Sequence, residues 1–290
     1  MPPPSTGHGF SCTATKFVSQ NIAKGKRPGR IMANFLTVIP LLCGGLFIGL
    51  LLLIEAGRRL GVRRLATDPE GARAGAGTVE GAVFALLGLL IAFTFSGAAS
   101  RFDDRRHLVA EEANAIGTAW LRIDVLPASA QPPLRHLFRQ YLDSRLATYR
   151  QAGDADAVRA ESVRSRRLQQ EIWTLAVNAA RDSGSAPAQI LLLPALNAMI
   201  DITTTRAMAA QIHPPAIIFI MLAVLALAGA MFIGYGMAGA RTRSWFHSIG
   251  FATVIAAAVY VIVDIEYPRH GLIRVDAADQ VLVELRRAMN

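Results

Sequence analysis

Residues 89–108 read LLIAFTFSGAASRFDDRRHL, and the way this stretch is read decides the fold. From Leu89 to Ser100 it carries no charge. From Arg101 to His107 every residue except Phe102 is ionisable. No proline or turn cluster separates the two parts, so the stretch reads as one helix that leaves a bilayer and continues into water, with its arginines at the headgroup level.

Upstream of Ser100 the apolar part extends back to Gly81, giving a block from 81 to 100 without Lys, Arg, Asp or Glu. Three further blocks share that property: Ile31 to Ile54, Ala216 to Ala240 and Ser244 to Val263. Each reaches the roughly 20 residues that cross a ~30 Å hydrocarbon layer at about 1.5 Å per residue. A soluble core helix of that length would show a charged stripe toward water, and none of these does. The mean hydropathy of +0.35 and the 52% hydrophobic content of the 290-residue chain come from these blocks. The sequence thus predicts an all-α, multi-pass membrane protein with four transmembrane helices, and a helical water-soluble domain between the second and third.

The domain order that follows is a disordered basic tail over 1–30, helices 1 and 2 with a basic loop over 31–100, the soluble domain over 101–213, helices 3 and 4 over 214–263, and a C-terminal tail over 264–290. The tail over 1–30 holds Pro2, Pro3, Pro4, Gly7 and Gly9 and ends in Lys24, Lys26, Arg27 and Arg30, a composition unable to bury a core. It has the look of a transit peptide, while Met32, just before the hydrophobic run, fits equally as a start. Between the first two spans, Thr67-Asp68-Pro69-Glu70-Gly71 reads as a turn and Thr78 as a helix N-cap. Within the soluble region, Leu134, Phe138, Tyr141, Leu142, Leu146 and Tyr149 recur at helical spacing behind Pro132-Pro133. A second helix follows Gly153, with Leu168, Ile172 and Leu175 on its buried face and Arg159, Arg164, Arg166 and Arg167 outside. A third runs from near Pro187 to His213-Pro214-Pro215, where proline is tolerated in a first helical turn but not in a helix interior.

The net charge of +9 does not point to nucleic acid, because its positive groups cluster in the tail and beside the spans, as in Arg58, Arg59, Arg63 and Arg64. Basic residues flank both sides of the membrane, so charge counting leaves the orientation open. Cys12 and Cys43 make no disulfide framework, and the six histidines are dispersed, so no metal or other cofactor is expected. The spacing of Gly75, Gly77 and Gly81 is GxGxxxG with an apolar span behind it, which fits close helix packing better than a phosphate loop. No triad, metal set or cofactor loop supports an enzyme.

Phe93, Ala98, Arg101, Phe102, Asp104, Arg106, Leu108 and Asn114 fall without a gap on the pattern that ends the second span of the bestrophin anion channels, which this segment resembles. After the last span, Ile265-Glu266-Tyr267-Pro268 and Gly271 resemble the acid, proline and glycine segment found there in bestrophins. With Gly57-Arg58-Arg59-Leu60-Gly61 and Glu112 to Thr118 added, the chain after Met32 is similar to a bacterial family called bestrophin-like. The resemblance implies a five-chain assembly in a bacterial inner membrane. Its second spans would line a shared pore, its soluble helices would form a vestibule, and both chain ends would be cytoplasmic. Its cargo would be a small inorganic anion, chloride first. Carried onto this sequence, the neck of the pore falls on Ala85, Leu89 and Phe93, an i, i+4, i+8 row on one helix face.

The sequence departs from that pattern at two places. Ala85 is smaller than the bulky residue expected at the neck, and Phe102 and Asp103 stand where paired tryptophans are usual. The calcium clasp of the animal members has no equivalent in Asp264, Glu266 and Asp276, which are too dispersed. Beside these readings stand plainer ones. Leu89 and Phe93 fit lipid-facing or interhelical packing, and Arg101, Asp104 and Arg106 fit an interfacial charge set within one helix. Adjacent Glu111 and Glu112 point apart on a helix and cannot share a proton. His247, early in the fourth span, is an intramembrane ionisable group that a helix end lets snorkel. A non-conducting scaffold or regulator, binding a protein or lipid partner through the soluble helices, is the competing function class.

Overall fold

The computed structural model describes residues 29–68, 76–239, 245–269, 272–273 and 279–290. The expected tail over 1–28, and Gly271, lie outside the described residues. Eight α-helices are present among those described: α1 (Gly29–Thr67), α2 (Ala76–Leu121), α3 (Gln131–Arg150), α4 (Ala155–Asp182), α5 (Ala186–Gln211), α6 (Ala216–Gly236), α7 (Trp245–Glu266) and α8 (Gln280–Ala288). Four helical stretches are long and apolar enough to cross a membrane: Val38–Thr67, Gly77–Val125, Ala186–Gly239 and Trp245–Glu266. The protein is an all-α, multi-pass membrane protein.

The segment over residues 89–108 is one piece of α2, an unbroken helix of 46 residues. At about 1.5 Å per residue it is roughly 69 Å long, twice the depth of a hydrocarbon layer. It begins at Ala76, so Thr78 lies inside the helix and does not cap it. Near its middle, Thr94 returns its hydroxyl to the Leu90 carbonyl at 2.6 Å, satisfying a polar group where no water is available.

In the membrane bundle, α1, α2, α6 and α7 meet around Leu50, Ile54, Leu87, Leu222, Ala226, Ala252 and Ile255. The closest pair is α1 with α6, and its crossing depends on two glycines. A Cβ at Gly57 would overlap the Met231 carbonyl oxygen, and one at Gly234 would overlap the Ile54 carbonyl oxygen. Backbones this close gain dispersion contacts that larger residues would prevent, the means by which helices associate in lipid.

Beyond the membrane, α2 continues into a second core with α3, α4 and α5. Ile116, Leu134, Phe138, Leu142, Leu168, Ile172, Leu192 and Met199 fill it, all at most 1% exposed. The ends of these helices carry the expected signals. Pro132 and Pro133 sit in the first turn of α3. Asp154 accepts from the amides of Asp156 and Ala157 at the start of α4, and Ser185 from Ala188 at the start of α5. Gly184, at φ +60°, supplies the left-handed turn between α4 and α5. Pro40 and Pro194 stand inside α1 and α5. The outer arginines of α4 are largely neutralised by their own helix, through Arg159–Asp156, Arg164–Glu161 and Arg167–Glu171.

The C-terminal segment, expected as a tail, contains α8. Leu282 and Met289 are fully buried in the soluble core, and Arg139 donates to the Met289 carbonyl at 2.6 Å.

Candidate functional site

Many exposed residues of α2 form a stripe along one side of the helix, while Phe95 and Arg106, also exposed, stand about 160° and about 140° around the axis from Phe93. Ala85, Leu86, Leu89, Phe93, Ser96 and Ser100 belong to the stripe in the apolar half, and Asp103, Asp104, His107, Glu111, Asn114 and Thr118 in the polar half. At about 100° per residue, Phe93 and Glu111 are five full turns apart and share one azimuth, and the other members fall within about 80° of it. Phe93 is 67% and Leu89 52% exposed. Their neighbours on the opposite face, Leu87, Thr94 and Ala98, are buried against the other helices. The three residues of the expected neck, Ala85, Leu89 and Phe93, therefore lie together on a surface that the described residues leave exposed.

Arg101 stands at the edge of that stripe, and its partner is not within its own helix. The expected charge set of Arg101, Asp104 and Arg106 does not form. Arg106 instead pairs with Asp103 at 3.6 Å and lies over the Phe102 ring, while Asp104 makes no ion pair among the described residues. Arg101 reaches Glu266, 165 residues away, donating from Nε to both carboxylate oxygens at 3.1 and 3.0 Å and from Nη2 at 2.8 Å. Two segments singled out by the same resemblance are thus in contact.

Glu266 is 1% exposed and gathers more than Arg101. Arg105 donates to its carboxylate at 3.3 Å and to its backbone carbonyl at 2.8 Å. The same guanidinium also reaches the Ala209 and Ile212 carbonyls at 3.2 and 3.0 Å, where the C-terminal end of α5 leaves acceptors unfilled. His213 Nδ1 lies 3.1 Å from Glu266 Oε1, and its ring stacks on Tyr267 at 4.6 Å. One carboxylate therefore ties α2, the α5–α6 junction and the end of α7 together at the level where apolar sequence gives way to charged. Two residues earlier, buried Asp264 accepts from the Leu272 and Ile273 amides at 2.9 and 2.8 Å, folding the following chain back. Pro268 is buried beside this knot.

A second knot, missed by the sequence reading, lies farther along α2. Glu112 is fully buried and accepts from Arg145 Nε at 2.5 Å, from the Tyr149 hydroxyl at 2.6 Å, and from Arg206. Burial by itself would push the Glu112 carboxyl up. The charges of Arg145 and Arg206, with hydrogen bonds from Arg145 and Tyr149, outweigh burial and hold it below the usual carboxylate range. Burial, then the Glu112 charge, pushes the Tyr149 phenol well above its ordinary value. Three guanidiniums surround the Tyr149 ring, Arg206 at 4.1 Å, Arg269 at 4.9 Å and Arg145 at 5.1 Å. Arg269 also bonds Asp279, which joins the segment after α7 to the soluble core. The Glu111-Glu112 pair is therefore split between two environments, Glu111 on the exposed stripe and Glu112 in the core.

Among the described residues, no group of three or more His, Cys, Asp or Glu side chains is placed to hold a metal ion. His247 is exposed at the start of α7, edge-on to Phe246 at 5.8 Å.

Against known proteins, the Bestrophin-like domain matches residues 44–279. A search of curated proteins finds no match. Among solved structures, the fold is similar to variants of a bacterial Bestrophin homolog from Klebsiella pneumoniae. One is 14% identical, covering 84% of this chain and 95% of its own, with a TM-score of 0.64. Two others, 14% and 15% identical, cover 83% and 84% of this chain and 97% and 98% of theirs, with TM-scores of 0.62 and 0.63.

Proposed function

We propose, from the premise that the chain belongs to the Bestrophin-like family, that it is a homo-oligomeric ion channel of a bacterial inner membrane whose pore is lined by α2. The observation that carries this reading is the exposed stripe of α2, which continues along one side of the helix from Ala85 through Phe93 and Ser100 to Thr118. A lipid-facing surface would end where the helix leaves the bilayer. This one changes from apolar to polar without changing direction, as the wall of a pore leading into a vestibule does. In a ring of copies, Ala85, Leu89 and Phe93 form the neck. An apolar constriction stops ions by excluding their hydration water, and a small widening admits them. Arg101, Phe102, Asp104, Arg106 and Asn114 then mark the passage from neck to vestibule, and Glu266, Pro268 and Gly271 the brace behind it. Kinship favours five copies, with the soluble domain and both chain ends in the cytoplasm.

For the permeant species, kinship favours a small inorganic anion, chloride first, helped by the positive edges of the Phe93 rings. A second reading has its own observation. Asp103, Asp104 and Glu111 all lie on the stripe, and Arg106 is turned about 140° from Phe93. Arg101, at the stripe's edge, is tied to Glu266, so a ring of such helices presents Asp104 and Glu111 with Asp103 beside its Arg106 partner, and that field favours cations.

Purified protein in a planar bilayer under a potassium chloride gradient tests both. A channel gives current that rises when Phe93 becomes alanine. A reversal potential on the chloride side supports the anion. One on the potassium side, shifting toward zero in an Asp103→Asn, Asp104→Asn variant, supports the cation. Silence at every voltage and pH would favour a non-conducting scaffold, and a stable monomer or dimer in detergent would exclude a shared pore.

A further inference from the structure

A cavity of about 460 Å³ opens between α3 and α8, and none of its lining residues belongs to the stripe or to either charge knot. Three arginines and one acid line it: Arg150 and Asp143 from α3, and Arg286 and Arg287 from α8. Asp143 is fully engaged by one of them, since Arg286 donates from Nε to Oδ1 at 2.8 Å and from Nη2 to Oδ2 at 3.2 Å. Arg150 and Arg287 have no ion-pair partner among the described residues. Among the described residues, the cleft therefore holds two guanidiniums without an ion-pair partner, one from each wall.

Its floor is apolar, made by Leu146, Ala147 and Val283, and Leu146 is only 6% exposed. Like charges brought together over a low-dielectric floor repel more than they would in open water, and the same field concentrates anions. The walls do not depend on a ligand to form. Leu282 and Met289 anchor α8 in the core at 0% exposure, and Arg139 holds the Met289 carbonyl. A half-open cleft of this size, apolar below and positive at the rim, has room for a small molecule.

We propose that this cleft binds a soluble phosphomonoester with a small apolar body. The phosphoryl group supplies two negative charges and several acceptor oxygens, which suit two guanidinium forks, and the body rests on Leu146, Ala147 and Val283. A bilayer lipid is a poor occupant. Tyr149, the neighbour of Arg150, contacts Glu112, which stands eleven residues along α2 from Arg101, about 16 Å farther from the membrane.

Calorimetric titration of the full-length protein in detergent with phenyl phosphate tests this. Saturable binding at one site per subunit is expected, weaker by tenfold or more in Arg150→Gln and in Arg287→Gln. Both side chains are exposed, so the variants should keep the wild-type melting temperature. Ala147→Phe, which fills the floor, should weaken phenyl phosphate more than inorganic phosphate. Asp143→Asn frees Arg286 and should tighten both, a sign that a merely structural role would not produce. Absence of saturable heat, or wild-type affinity in the Arg150→Gln, Arg287→Gln double variant, would overturn the proposal. So would loss of phenyl phosphate binding when the protein is placed in phosphatidylglycerol nanodiscs, since the site would then belong to lipid.

Discussion

The two halves of α2 are held in place by opposite means. In the membrane the helix joins a bundle whose tightest crossing is made by removing side chains, as at Gly57 and Gly234, so that backbone meets backbone. In water the same helix is gripped by large apolar side chains and by a carboxylate, Glu112, carried into the core with two arginines. The difference follows from the solvent. Apolar surface gains nothing by leaving lipid, so the bundle relies on close packing, whereas the soluble core has the hydrophobic effect and can bear the desolvation of a charge cluster. Glu266 stands between the two regimes, and its arginines face the layer where lipid meets water.

Substitutions at these points break the comparison in a defined order. Gly234→Val should have the largest effect, because its branched side chain must displace the Ile54 backbone; we expect loss of folded protein from detergent extracts, measured by size-exclusion chromatography. The same change at Gly77, which has nothing within 4 Å, should be tolerated. Next comes Glu112→Gln, which leaves Arg145 and Arg206 buried without their counter-charge. A cost of about 3–5 kcal/mol is expected in denaturant unfolding, reduced when Arg145 is replaced by methionine in the same chain.

The smallest effect expected is a pH dependence. The Glu112 carboxyl is lowered in the folded state, so its contribution is fully present above the ordinary glutamate range and is lost as pH falls through the folded value. Thermal stability should therefore decline on acidification from about pH 5, and decline less in Glu112→Gln.

Sequence alone made the membrane half legible, because hydropathy is a one-dimensional property: charge-free blocks of sufficient length announce spans whatever they pack against. Continuity of α2 was legible for a similar reason, since nothing between Ser100 and Leu121 breaks a helix. Contacts set by tertiary geometry were not. Arg101 had a plausible partner at Asp104, and only the placement of α7 brings Glu266 to it from 165 positions away. Glu111 and Glu112 point apart on any helix, but adjacent acids give no sign of which one faces inward. The nine residues of α8 are too few to show a period, although Leu282 and Val283 beside Arg286 and Arg287 give it an amphipathic composition. The stripe was partly readable, as Ala85, Leu89 and Phe93, but the contrast with the buried face needed the surrounding helices.

The central claim is that the exposed face of α2 turns toward other copies of itself. In a background with Cys12 and Cys43 replaced by serine, single cysteines at Phe93 and at Leu87 distinguish the possibilities when the protein is oxidised in native membranes. The account predicts inter-subunit disulfides at position 93, blocked by prior treatment with a water-soluble thiol reagent, and none at the buried position 87. A cysteine at 93 that never cross-links and reacts only with lipid-soluble reagents would contradict it.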